Sequence, residues 1–152
     1  MKLSRGIASA ACLAVLLLAG GPSDAQSKAS ADDARAMLQR AVAAVKANEA
    51  DALASFSRGG PGFKDRDLYV FCARADGRVD AHIDPVQIGR NIKDLYDVDG
   101  VAFGQDMLAI AADGEIKAVS YMWPEPGSHV PTAKVSFVTR VADQMCGVGY
   151  YK

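Results

Sequence analysis

From Asp67 onward the chain changes its apolar period, and that change limits the folds open to it. Between Asp67 and Ala75 residues alternate, with Leu68, Val70 and Cys72 on one side and Tyr69, Phe71 and Ala73 on the other. This is the repeat of a strand whose two faces meet different surroundings. Asp76-Gly77 is a hairpin turn signal, and Val79 to Ile83 reads as the return strand, stopped by Asp84-Pro85. Ile116 to Trp123, Ala133 to Val141 and Met145 to Tyr151 read as three further strands. Pro124 to Pro131 is a loop whose prolines argue against a continued ladder, and Ala142-Asp143-Gln144 is a turn.

The stretch before this has the other period. Ser30-Ala31-Asp32-Asp33 has the spacing of a capping box, with Asp for the preferred Glu. An Ala-rich helix follows to about Ser57, with Leu38, Val42, Val45, Leu53 and Phe56 on its apolar face. Arg58-Gly59-Gly60-Pro61-Gly62 ends it. Between Pro85 and Gly100 the chain is loop and short helix, and Phe103 to Ala112 forms a second, shorter helix. The order predicts an α+β fold: a PAS-like five-stranded antiparallel sheet, the long helix on one face and a loop and short-helix crossover on the other.

The first 25 residues read as a signal peptide, and residues 26–152 as one domain. Lys2 and Arg5 precede an apolar run from Ile7 to Leu18, too short to span a bilayer comfortably, and Ser23-Asp24-Ala25 offers small residues for cleavage before Gln26. The expected location is periplasmic or secreted, with membrane contact only through this segment should it stay uncleaved. Apolar content of 50% and charged content of 23% exclude global disorder. Cleavage changes the formal charge from −1 to −2, by loss of Lys2, Arg5 and Asp24. No basic block stands out, so nucleic acid is not an expected partner.

Cys72 and Cys146 remain after export, in the first and last strands of the sheet. Their spacing fits neither a C-x-x-C redox motif nor haem attachment. A structural disulfide and two separate buried thiols both fit. No nucleophile elbow, P-loop or metal-ligand spacing is present, so neither an enzyme nor a cofactor is expected. Asp97-x-Asp99-Gly100 lacks the remaining ligands of a calcium loop and reads as a solvated turn, with Asp94 a cap or brace.

One ordered set of segments carries a resemblance. It runs through Asp76-Gly77, Ala81-His82-Ile83-Asp84-Pro85, Ile88-Gly89-Arg90-Asn91 and Asp97-Val98-Asp99-Gly100. It continues with Tyr121-Met122-Trp123-Pro124-Glu125-Pro126, Lys134, Phe137 and Gly147-Val148-Gly149-Tyr150. Over about Phe63 to Tyr151 the chain resembles the single Cache domain (type 2), a PAS-like extracytoplasmic sensor module. The resemblance implies a small-molecule pocket between sheet and crossover. Its ligand would be a small carboxylate or related polar metabolite, its lining Tyr69, Phe71, His82, Tyr121, Trp123, Lys134 and Phe137. Strict alternation sets Lys134 and Phe137 on opposite faces, so both reach one pocket only if the strand bulges. Gly147 and Gly149 leave room on one strand face for a ligand or a close neighbour.

The sequence ends at Lys152 without a transmitter module, so a separate membrane receptor is the expected partner. Val45 to Leu53 resembles the opening helix of the NTF2-like class, which sets a conical pocket as the alternative reading. Strand order discriminates the two. A homodimer formed through the long helix is a further partner class.

Overall fold

The computed structural model describes residues 28–152, so the expected signal peptide lies outside the described residues. Helix α1, Ala31–Ala47, begins at the expected capping box: the Ser30 side chain accepts from Asp33 N and Asp33 accepts from Ser30 N. It buries Ala34, Met37, Leu38, Ala41 and Val45, a stripe at helical spacing that mixes alanines with larger side chains. Val42 is only partly covered.

The single long helix of the sequence reading is two. Asn48 adopts an extended conformation (φ −160°, ψ 103°) and α2, Glu49–Ser57, starts afresh behind it. The Asn48 side chain accepts from Asp51 N at 3.2 Å and donates to the Asp51 carboxylate at 2.7 Å. An Asn that can bond to the backbone just after it competes with helix continuation. The change of direction seats Phe56 at 0% exposure, edge-on to Phe63 at 4.7 Å. Burying that ring contributes about 2–3 kcal/mol.

Six strands follow among the described residues: β1 Lys64–Asp65, β2 Leu68–Arg74, β3 Val79–Ala81, β4 Lys117–Pro124, β5 Pro131–Val141 and β6 Gln144–Tyr151. The two-residue β1, absent from the sequence reading, folds back on the start of β2. The sheet order is β1-β2-β6-β5-β4, with β3 also paired to β2, and every pairing of named strands is antiparallel. The first and last long strands are therefore neighbours, the arrangement that separates a PAS-like sheet from the NTF2-like alternative. The ladder between β4 and β5 extends to Pro124 opposite Pro131, further than the prolines suggested. Both stand at strand ends, where a missing N–H costs little.

Each face of the sheet meets a different layer. Leu68, Val70, Cys72, Phe137, Cys146 and Val148 pack under α1 and α2. Cys72 and Cys146 are direct cross-strand partners, 4.1 Å apart at Cα, and are bonded in a disulfide. Tyr69, Phe71, Val119, Tyr121, Val138 and Met145 face the crossover, which contributes Ile92, Phe103 and Met107. The crossover holds two short 3-10 turns, Pro85–Gln87 and Ile92–Asp94, and helix α3, Phe103–Ile110.

Side-chain caps, not regular structure, pin this crossover down. Gly77 at the β2–β3 turn has φ +101°, and a Cβ there would collide with the Asn91 side chain. That closeness lets Ile92 N donate to Gly77 O at 2.8 Å. Asp97 accepts from Asp99 N, Val101 N and Met122 N, each at 2.9 Å, so one carboxylate ties the loop to the outer edge of β4. The brace expected at Asp94 is thus supplied by Asp97.

Candidate functional site

The site is built on the crossover face from side chains of one parity. In the β2–β6–β5–β4 register, Phe71 opposes Gly147, Gly149 opposes Ser136, Tyr151 opposes Lys134 and Lys134 opposes Tyr121. A Cβ at Gly147 would enter the Phe71 ring, and one at Gly149 would enter the Lys134 stem and the Ser136 hydroxyl. The two glycines therefore leave room that Phe71 and Lys134 occupy, so these side chains can lie flat across β6.

Above them is an aromatic box. Phe103 of α3 stacks on Tyr121 at 4.2 Å with 10° between planes and meets Trp123 edge-on at 5.3 Å. His82 meets Tyr69 edge-on at 5.0 Å. Tyr69, Phe71, His82, Tyr121 and Trp123, all expected from the sequence, do line one cavity. Its volume is ≈ 30 Å³, room for one or two water-sized groups. A wider groove of ≈ 570 Å³ adjoins it, shares Tyr69, His82, Gln87 and Trp123, and opens between Asp84 and the Pro124–His129 loop.

Two expected residues are placed differently. Lys134 is on the correct face and only 2% exposed, but it stands behind Tyr69 and not on the cavity wall. Its Nζ donates to Tyr69 Oη at 2.8 Å and Tyr151 Oη at 3.2 Å, and lies 4.3 Å and 4.7 Å from the centroids of the same two rings. Phe137 is a correction to the expected lining. The β5 ladder runs without a bulge, so alternation holds and Phe137 packs under α1, covered by the Arg35 guanidinium at 4.4 Å. Asn91 and Arg90 do not line the cavity; Asn91 braces the β2–β3 turn.

Sequence reasoning missed Val79 of β3 and the crossover half of the wall, which is Gln87, Ile92, Leu95, Phe103 and Met107. Phe103 and Met107 were readable as one helix side. Gln87 carried no signal beyond following Asp84-Pro85.

Electrostatics on this face is unusual. Lys134 is the one buried charged side chain among the described residues, and none of their ion pairs includes it. Burial pushes its ammonium down to about 7, against an upward pull from Asp67. A buried ammonium bonded only to phenols and π faces, with Asp67 acting from beyond ion-pair distance, lacks the contact anion that best offsets its desolvation. Burial, then the Lys134 charge, pushes His82 down to about 4. Nδ1 lies 2.9 Å from Asp84 N, which donates to it, and 3.2 Å from Asp84 O; the shorter contact favours the tautomer with its proton on Nε2. Burial raises the Tyr69, Tyr121 and Tyr151 hydroxyls, which stay protonated donors. Tyr121 pairs with the Ser136 hydroxyl at 2.8 Å, and Tyr151 donates to Pro124 O at 2.6 Å. Tyr69 accepts from the ammonium and also shares a side-chain hydrogen bond with Tyr151. The arrangement can hold an anionic group by hydrogen bonds inside aromatic walls. It contains no base poised against a nucleophile, and no cluster of metal-binding side chains exists among the described residues.

No helix among the described residues is long and apolar enough to cross a membrane. Similar proteins share the same topology. A methyl-accepting chemotaxis protein from Vibrio parahaemolyticus superposes with a TM-score of 0.67 at 22% identity, covering 79% of this chain and 86% of that one. A Cache chemosensory domain solved to explain carboxylic acid recognition gives 0.59 at 22% identity, with 79% and 86% covered. The methyl-accepting chemotaxis protein McpP of Pseudomonas putida is 35% identical over 49 residues, which is 32% of this chain and 9% of that receptor. The matched stretch is thus a small part of the curated relative. The profile of the Single Cache domain 2 family matches residues 23–150. With that match over most of its length and a sheet of the same fold, the chain belongs to the single Cache domain family, whose members are extracytoplasmic ligand-sensing domains.

Proposed function

We propose that this domain binds a small carboxylate on the crossover face, as a periplasmic sensor whose occupied form is read by a separate membrane receptor. The observation that carries this reading is Lys134: a deeply buried ammonium with no carboxylate in ion-pair range among the described residues. A ligand anion would offset the desolvation that lowers its proton affinity. His82 Nε2–H and the Tyr69 hydroxyl, turned from Tyr151 toward the ligand, supply directional donors beside it. The carboxyl end enters the small cavity, and the remainder of the ligand occupies the groove toward the Pro124–His129 loop.

The cavity volume sets a condition on this reading. At ≈ 30 Å³ it takes little more than a carboxylate group without rearrangement. Lys134 reaches the anion either through the Tyr69 hydroxyl or by a rotamer change of its own flexible stem. Calorimetric titration with short organic acids tests the proposal. Wild type is expected to bind at least one with an affinity that Lys134→Met lowers by ten-fold or more, since a charge-assisted contact is worth about 1.5–3 kcal/mol. Unchanged affinity in a folded Lys134→Met protein would remove the lysine from the account.

A further inference from the structure

We propose that Gln87 makes the site selective for carboxylates that carry a hydrogen-bond donor, a hydroxyl or an ammonium, near the carboxyl group. This rests on the carboxylate reading above and narrows the ligand class. Gln87 closes the Pro85–Gln87 turn and lines both the cavity and the adjoining groove. Its amide is oriented by Asp84. That carboxylate accepts from Val86 N with Oδ1 at 3.0 Å and from Gln87 Nε2 with Oδ2 at 3.4 Å. Exchanging the amide oxygen and nitrogen would turn two acceptors against each other, so Oε1 is the atom directed away from Asp84. Gln87 Oε1 is buried and accepts from no group among the described residues.

The polar groups bordering the cavity divide into two kinds. Tyr69 O–H and His82 Nε2–H are donors that suit an anion. Gln87 Oε1 is an acceptor, and a carboxylate oxygen cannot satisfy it. A plain alkanoate therefore leaves this buried oxygen unpaired, whereas a hydroxy acid or amino acid of equal length pairs it. A site with a buried acceptor rejects the analogue lacking the donor more strongly than a purely apolar pocket does. Asp84 and Glu125 border the groove, so the surrounding charge also tolerates an ammonium.

Propionate, L-lactate and L-alanine share a three-carbon chain and differ in the donor. Titrating each into wild type and into Gln87→Met, which keeps length without the amide, tests the proposal. Lactate, alanine or both are expected to bind about tenfold more tightly than propionate to wild type. In Gln87→Met that preference should vanish while propionate affinity stays the same or rises. Whichever of lactate and alanine is favoured identifies the donor as hydroxyl or ammonium. Should Gln87→Met melt early, Gln87→Ala provides the same comparison without a new side chain in the cavity. Equal binding of all three acids to wild type, or an unaltered preference in both variants, overturns the role of Gln87 and leaves the carboxylate reading standing. Failure of all three acids to bind wild type removes the carboxylate reading for this chain length and this inference with it.

Discussion

Replacing Lys134 by Met should make the protein more stable, and by an amount that depends on pH. The ammonium falls from an ordinary 10.5 to about 7, with burial the leading cause. At ~1.4 kcal/mol per pH unit that drop represents about 5 kcal/mol of penalty on the charged form. Met matches the length of the stem without the charge, and it would still lie across Gly149. The substitution gives back something, because Tyr69 and Tyr151 lose their donor, a cost of about 2 kcal/mol. A net gain of ~3 kcal/mol raises the melting temperature by about 10 °C. The folded pKa lies below the unfolded one, so between the two the unfolded chain binds the extra proton and wild-type stability rises with pH. The penalty is complete below about 7 and fades as pH climbs toward 10.5. Thermal melts of both proteins should therefore show a wide gap at about pH 6 that narrows toward pH 10. A gap that stays constant with pH, or a variant less stable than wild type at about pH 6, refutes the claim that the lysine is buried without an ion-pair partner.

Other consequences follow from the same packing. Reducing or deleting the Cys72–Cys146 bond frees a loop of 74 residues and should cost about 4 kcal/mol, read as a lower denaturant midpoint for Cys72→Ala with Cys146→Ala. An unchanged midpoint would mean that the bond does not form. Gly147→Ala drives a methyl into the Phe71 ring and should destabilise by ~1–3 kcal/mol while altering ligand affinity. Asp97→Asn should melt lower than wild type at neutral pH and converge with it in acid. The Asp97 carboxyl is held below its ordinary range chiefly by Met122 N–H. Its contribution is therefore present above the ordinary carboxylate value and lost as pH falls through the depressed one. Parallel melting curves down to about pH 2.5 would contradict that assignment.

What was legible in the sequence follows a physical boundary. Local periodicity specified β2 and the faces of its side chains, because a strand buried under helices on one face and under the crossover on the other assigns alternate positions to the two layers. Turn chemistry at Asp76-Gly77 placed β3. The same alternation already separated Lys134 from Phe137. Family resemblance pulled Phe137 toward the pocket, and an unbroken β5 ladder put it back under α1. Asn48 was hidden by its setting, because high alanine content argues for helix on both sides of it. The crossover wall was largely illegible. Gln87, Ile92 and Leu95 lie in or beside 3-10 turns with no repeating pattern; Gln87 is held by Asp84, while the stretch carrying Ile92 and Leu95 is held by Gly77 and by the Asp97 bond to the β4 edge. Lys134 posed a related difficulty. Sequence could mark it as the odd residue in an apolar strand, but its two phenol partners come from β2 and β6.

Isotope-filtered nuclear Overhauser spectroscopy with a carbon-13-labelled short acid bears most directly on where this domain holds its ligand. Cross-peaks from the acid's protons to the rings of Tyr69, Phe71, Tyr121 and Trp123 are expected, with the Phe137 ring silent. Cross-peaks to Phe137 or to α1, with the four crossover-side rings silent, would place binding on the opposite face of the sheet and contradict the account.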